Sequence, residues 1–273
     1  MYRVATALAP YASHPELTQF HSQVEEAAEE LAEIGRLVRN RHIRLSSHPG
    51  QYTVLNSTDS AVQAAAVAEL EVQASLFDAM GLGPDAVVVL HVGGSAGGVA
   101  AACDRFLAGL ERLTDPARRR LVIENDDRSF GTADVASLAE RAGLRMVWDV
   151  LHHHCHDPVG MSDRDALGAA LATWPSDVTP KIHYSSPRLD IEVRKVRRGR
   201  RVEQRIVLPQ LRAHADLVDP IAFEHFMRDV AVDRDFDVML EAKAKDLALL
   251  RLREQLASRG VELSRPASAA RSR

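Results

Sequence analysis

Along this chain short apolar runs alternate with longer amphipathic stretches, and the runs share an ending. Residues 87–90 are four aliphatics that stop at His91, 121–123 stop at Glu124, 146–148 stop at Asp149, and 238–240 stop at Glu241. Short apolar runs bounded by turn signals read as buried strands. Between them apolar residues recur at helical spacing. Residues 17–40 place Val24, Ala27, Ala28, Leu31, Ile34, Leu37 and Val38 on one face, opposite a run of glutamates. A second helix is expected at 60–80, stopped by Gly81 and Gly83 with Pro84 beyond, and others near 99–113, 133–142, 164–173 and 245–258. The remaining strands fall at 4–8, 43–47 and 180–186, and the last strand runs through 236–241.

Regular alternation of strand and helix predicts an α/β fold with a parallel sheet closed as a TIM (β/α)8-type barrel. Seven strands are legible, and the chain opens on what behaves as the second, so a barrel lacking its first βα unit at the N-terminus is expected. Residues 1–262 are expected to form one domain, and the Ser-, Ala- and Arg-rich tail at 263–273 to be disordered. One segment departs from the period. Residues 190–207 set Arg194, Lys195, Arg197, Arg198, Arg200 and Arg201 around Gly199 between alternating apolar positions, which predicts a hairpin with a basic tip.

Composition narrows the setting. No apolar stretch reaches the roughly 20 residues that cross a bilayer, and the first residues lack the basic-then-apolar order of a secretory signal. Two cysteines, Cys103 and Cys155, make no disulfide framework. A cytoplasmic protein without membrane attachment is expected. With a net charge of −4, any nucleic-acid partner must be held by a local basic patch, by bound metal ions, or by both.

The strand ends carry the candidate chemistry. His14, His48, His91, Glu124, Asp149, His152, His183, His214 and Glu241 all sit at or just past strand C-termini, where parallel barrels keep their reactive groups. Imidazoles and carboxylates converging there suit divalent ions such as Zn²⁺ or Mn²⁺, two or three of them. The plainer alternative is that each histidine separately caps its strand or bonds a carbonyl. Lys181 and His183 share a strand face at period two. Lys181 reads as a phosphate contact, as a carboxylated bridge between metals, or as a solvent-facing lysine at the strand start. The histidines after Asp149 read as a loop, with His153 the candidate to support a ligand and Cys155 a buried thiol.

Several segments resemble the motifs of the UV damage endonucleases, a family of the xylose-isomerase-like barrel superfamily. They are Tyr11-Ala12-Ser13-His14-Pro15, His48-Pro49-Gly50-Gln51-Tyr52, Leu90-His91-Val92-Gly93-Gly94, Glu124-Asn125-Asp126, Asp149-Val150-Leu151-His152-His153, Pro180-Lys181-Ile182-His183, His214-Ala215-Asp216 and Glu241-Ala242-Lys243. The resemblance runs in order over nearly the whole chain. It implies a metal-dependent DNA repair nuclease that cuts 5′ to a photoproduct or similar lesion and leaves a 3′-hydroxyl. It also implies that the nine strand-end residues ligate metal, that the lysine matching Lys181 is a modified residue near it, and that Gln51 and Tyr52 probe the duplex. Mn²⁺ is the first expectation, with Zn²⁺ and Mg²⁺ as alternatives. The expected partner is damaged double-stranded DNA, bound by a monomer without an organic cofactor.

Residue chemistry and resemblance agree on mechanism. A water between two ions would be acidified and attack phosphorus in line while the metals neutralise the oxygens. Glu124 and Glu241 are the candidate bridges, and Lys243 the candidate support for the scissile phosphate. Gln51 and Tyr52 form a plausible wedge at an unstacked lesion. Arg197, Arg198 and Arg200 would hold phosphates in a salt-dependent way. The rival class is a sugar isomerase or epimerase on the same barrel, which ordinarily needs fewer ligands. A third reading is a truncated barrel that binds DNA or metal without turnover.

Overall fold

The computed structural model describes residues 1–199, 201–230 and 234–261. Arg200 and the tail at 263–273 lie outside the described residues. The chain divides into two compact units. The first takes Met1–Ile182 with Arg234–Met239, and the second the described residues of His183–Asp233 and Leu240–Arg273.

The first unit contains a five-stranded parallel sheet in chain order: β1 (Tyr2–Arg3), β2 (Leu45–Ser47), β3 (Val87–His91), β4 (Leu121–Glu124) and β5 (Arg145–Val147). β3 and β4 are buried along nearly their whole length, as strands covered on both faces must be. Val87, Val89, Val122 and Val147 pack with Trp174 on one face. The α/β alternation expected from the sequence is present. Asp59 caps the helix Ser60–Ala79 by accepting from the Ala61 amide at 2.8 Å. Helix Ala28–Asn40 crosses close to its end, where Gly35 leaves no room for a side chain: a Cβ there would lie 1.7 Å from the Met80 carbonyl oxygen.

A further strand, β6 (Lys181–Tyr184), is followed by the hairpin strands β7 (Glu192–Arg198) and β8 (Arg201–Val207), and then by β9 (Asp237–Leu240), which pairs with β6. In the second unit Tyr184 packs edge-on against Phe223 at 4.9 Å and also against Phe226, both on helix Pro220–Asp229. The hairpin at 190–207 is as expected, its seven cross-strand pairs running from Glu192↔Val207 to Arg198↔Arg201.

Four local expectations are corrected. Residues 4–8 are not a strand: pairing involves Tyr2 and Arg3, and Thr6–Leu8 turn into a 3-10 helix whose Thr6 carbonyl is taken by Gln73. The helix expected at 17–40 is interrupted at Ala27, where φ −97° and ψ 18° leave the helical region. The histidines after Asp149 form the helix Val150–Cys155, because the Asp149 side chain caps it by accepting from the His152 amide at 2.8 Å. Helices Asp115–Arg120 and Pro220–Asp229 were not expected, although Thr114 and Asp219 each cap a helix with proline in its first turn, a legible start signal. Among the described residues no helix is long and apolar enough to cross a membrane.

Candidate metal centre

Parallel pairing in the first unit aligns strand ends, and alignment brings side chains together. His91 is the register partner of Glu124 across β3 and β4. The Glu124 carboxylate is fully buried, with its Oε2 2.9 Å from His48 Nε2 and 3.7 Å from His91 Nε2. His91, Glu124 and His152 each offer a ligand atom, all within 4.8 Å of one another. The imidazole of His91 packs at a tilt against those of His48 and His152, with ring centroids 5.1 Å and 5.4 Å away. Burial pushes the His91 pKa below its ordinary value, against the pull of Glu124, while His48 and His152 lower it further. A neutral ring is the form that ligates a cation.

Asp149 is also fully buried and has a double duty. As helix cap it orients His152, whose Nδ1 lies 3.1 Å from the Asn125 carbonyl oxygen. Asn125 closes the arrangement: its Nδ2 donates to the Asp149 carbonyl at 2.9 Å, and its Oδ1 accepts from the Asp149 amide at 2.8 Å. The side chain thus imitates a strand neighbour and holds Asp149 in place. Sequence reasoning assigned Asn125 no role, and its position directly after Glu124 is the signal that pointed to it.

The second unit also brings two imidazoles near a carboxylate. Glu241 follows β9, and its Oε1 lies 3.2 Å from Nδ1 of fully buried His183, with Oε2 3.5 Å from His214 Nδ1. His214 is pinned by a bridge to Pro187, and the adjoining Ala215 amide donates to the Ser186 carbonyl. Each unit therefore presents one shielded carboxylate with an imidazole near each side of it or at one shared oxygen. Carboxylate and neutral imidazole are the donors that Zn²⁺ and Mn²⁺ accept, and the His91, Glu124 and His152 group, its ligand atoms within 4.8 Å of one another, fits a divalent ion.

Other candidates fall elsewhere. His14 lies outside both groups, its Nδ1 accepting from the Glu16 amide at 3.2 Å and its carbonyl facing His21. Lys181 is not solvent-facing: it is fully buried, and its Nζ donates to Ser46 Oγ at 3.0 Å. Lys243 is exposed in the turn before the last helix, its amide donating to the Ala215 carbonyl. Asp126 is occupied by its own turn, accepting from the amides of Arg128, Ser129 and Phe130. His153 supports no ligand of the group; its ring bridges Thr132 Oγ1 and the Met161 carbonyl. Cys155 is exposed, and Cys103 is the buried thiol.

Gln51 and Tyr52 stand in a turn closed by the Thr53 amide on the Gly50 carbonyl, and Tyr52 is 83% exposed. Arg197 and Arg198 are exposed at the hairpin tip, and Arg200 lies outside the described residues.

Comparison with known proteins adds to this geometry. The UV DNA damage endonuclease of Bacillus velezensis is 34% identical over 270 residues, covering 96% of this chain and 77% of that protein. The one of Bacillus mycoides is 29% identical over 269 residues, with the same coverage of 96% and 77%. The crystal structure of SacUVDE superposes with a TM-score of 0.77 at 31% identity, covering 94% of this chain and 80% of that one. A 3-keto-D-glucoside 4-epimerase, YcjR, from E. coli has a TM-score of 0.54 at 10% identity over 92% of this chain and 97% of its own, a likeness of fold alone. The family model described as UV-endonuclease UvdE matches residues 1–269, and the chain belongs to that family.

Proposed function

We propose that this chain is a metal-dependent endonuclease of UV-damaged DNA, hydrolysing the phosphodiester 5′ to the lesion and leaving a 3′-hydroxyl. Membership of the UV-endonuclease family and the named relatives support a DNA-cleaving hydrolase that acts in repair. The observation that carries the metal dependence is the buried Glu124 carboxylate, 2.9 Å from the His48 imidazole and packed with His91 and His152. A buried carboxylate ringed by imidazole nitrogens is a donor set that suits a divalent cation.

In this reading His48, His91, Glu124, Asp149 and His152 hold ions in the first unit, His183, His214 and Glu241 do so in the second, and His14 completes the nine. Bound divalent ions, Mn²⁺ in the first place, would acidify a water and neutralise charge on the phosphodiester. Asp149 orients His152 through the helix cap, and Asn125 holds Asp149. Lys181 keeps its Nζ on Ser46, and Lys243 meets the scissile phosphate. Tyr52, flat and exposed, stacks where the lesion has opened the duplex, while Gln51 bonds base edges. A photoproduct already unstacked costs less to open than a sound pair, which makes damage the selected substrate.

The test is metal content by elemental analysis together with nicking of UV-irradiated and unirradiated supercoiled plasmid. Stoichiometric divalent metal, nicking of the irradiated plasmid and its loss on chelation are expected. Turnover of a ketose with no nicking would replace this reading by the epimerase one.

A further inference from the structure

The hairpin of the second unit sorts its charges by face. Residues opposed across an antiparallel pair point to the same side, and side chains alternate along each strand. The register Arg194↔Arg205, Val196↔Glu203 and Arg198↔Arg201 therefore collects four arginines on one face. The other face carries Val193↔Ile206, Lys195↔Gln204 and Arg197↔Val202, with its aliphatics more than half exposed. Arg197 and Arg198, adjacent in sequence, thus do not act together.

Two of the cross-strand pairs on the first face set arginine directly against arginine, an arrangement that destabilises a ribbon already marginal as two strands. Glu192 relieves only one of the four: it binds Arg194 at 2.7 Å and also Arg188. Among the described residues no carboxylate pairs with Arg198, Arg201 or Arg205. Folding alone gives no reason to oppose like charges twice. A polyanion laid along the face supplies one, because each guanidinium then gains a phosphate partner. The two pairs lie four residues apart along the strand, roughly 13 Å, so they meet a repeating anion at two separated points.

We propose that the face bearing Arg194, Arg198, Arg201 and Arg205 is a sequence-independent clamp on the DNA phosphodiester backbone, and that the Lys195/Arg197 face is not. This rests on the DNA-binding part of the proposed function, and not on its cleavage or metal chemistry. Two arginines opposed at the tip release about two condensed counterions when they bind phosphate, since the salt slope is about 0.9 per contact.

The full chain is titrated by fluorescence anisotropy against an undamaged duplex, in chelator, across about 50 to 200 mM salt, where contacts of this kind dominate the salt dependence. Arg198→Gln/Arg201→Gln should lower the slope of log affinity on log salt by about two. Lys195→Gln/Arg197→Gln removes the same net charge and should lower it by less than half as much. The first double variant should melt no lower than the parent, because it removes an opposed like-charge pair. Equal losses in the two variants, an unchanged slope in the first, or no binding by the parent each overturn the clamp. Because chelator removes any bound ion, these results stand apart from the nicking assay: a clamp without nicking leaves this inference and removes the nuclease reading.

Discussion

His91 and Glu124 are register partners across β3 and β4, and the same pairing that builds the sheet sets His91 Nε2 3.7 Å from Glu124 Oε2. The ladder therefore positions the donors without help from any loop. Glu124→Gln keeps the shape and removes the charge. It should reduce bound metal by at least about 100-fold, the upper range for disturbing merely a supporting residue, and abolish nicking. The melting temperature of the metal-free protein should fall, because His48 Nε2, 2.9 Å from Glu124 Oε2, loses its carboxylate partner. Elemental analysis and thermal melting check both halves; unchanged metal content would rule out Glu124 as a ligand.

Asn125→Ala tests the clamp on Asp149. Both hydrogen bonds to the Asp149 backbone disappear inside the protein; its carbonyl keeps the His153 amide at 3.0 Å, while its own amide is left unsatisfied at about 1–3 kcal/mol. The expected fall in melting temperature is on the order of 5–10 °C, and metal affinity should drop by about 10–100-fold. Full metal affinity in this variant would mean that Asp149 is held by other means.

Lys181→Met separates function from packing. Lys181 is fully buried with its Nζ on Ser46 Oγ at 3.0 Å, so replacing its ammonium by a thioether of similar length should lower stability by about 1–3 kcal/mol through the lost contact, while nicking by the folded protein is lost. Wild-type nicking by Lys181→Met would leave the lysine a structural residue only.

Tyr52→Ala touches a ring that is 83% exposed, so stability should stay within about 0.5 kcal/mol. The preference for irradiated over unirradiated duplex should fall by about 10–100-fold, the worth of one stacked base at about 1–3 kcal/mol. Competition binding with the two duplexes reads this directly, and an unaltered preference would free Tyr52 from the lesion.

Gly35→Ala is a control on the fold. Alanine favours the helix by up to about 1 kcal/mol, yet its Cβ would lie 1.7 Å from the Met80 carbonyl oxygen. The clash wins, and a loss of about 1–3 kcal/mol is expected, with metal binding unaffected once folded. Equilibrium urea unfolding measures it.

Period and punctuation in the chain were enough to determine the α/β succession, the hairpin, and which strands end in a ligand-type side chain. Strand ends are legible because an apolar run must stop where the backbone leaves the covered sheet, and the first polar residue marks the place. Burial and partnership were not legible, because they depend on residues far apart in sequence. Only the folded chain decided that Lys181 is shut away beside Ser46, that Asp126 serves its own turn, and that Asn125 grips the Asp149 backbone. The run His152-His153-His154 shows the division most plainly: three identical side chains in a row face Asn125, Thr132 and Asp163 respectively. A helix turns each successive residue by about 100°, so identity at neighbouring positions implies nothing about shared surroundings.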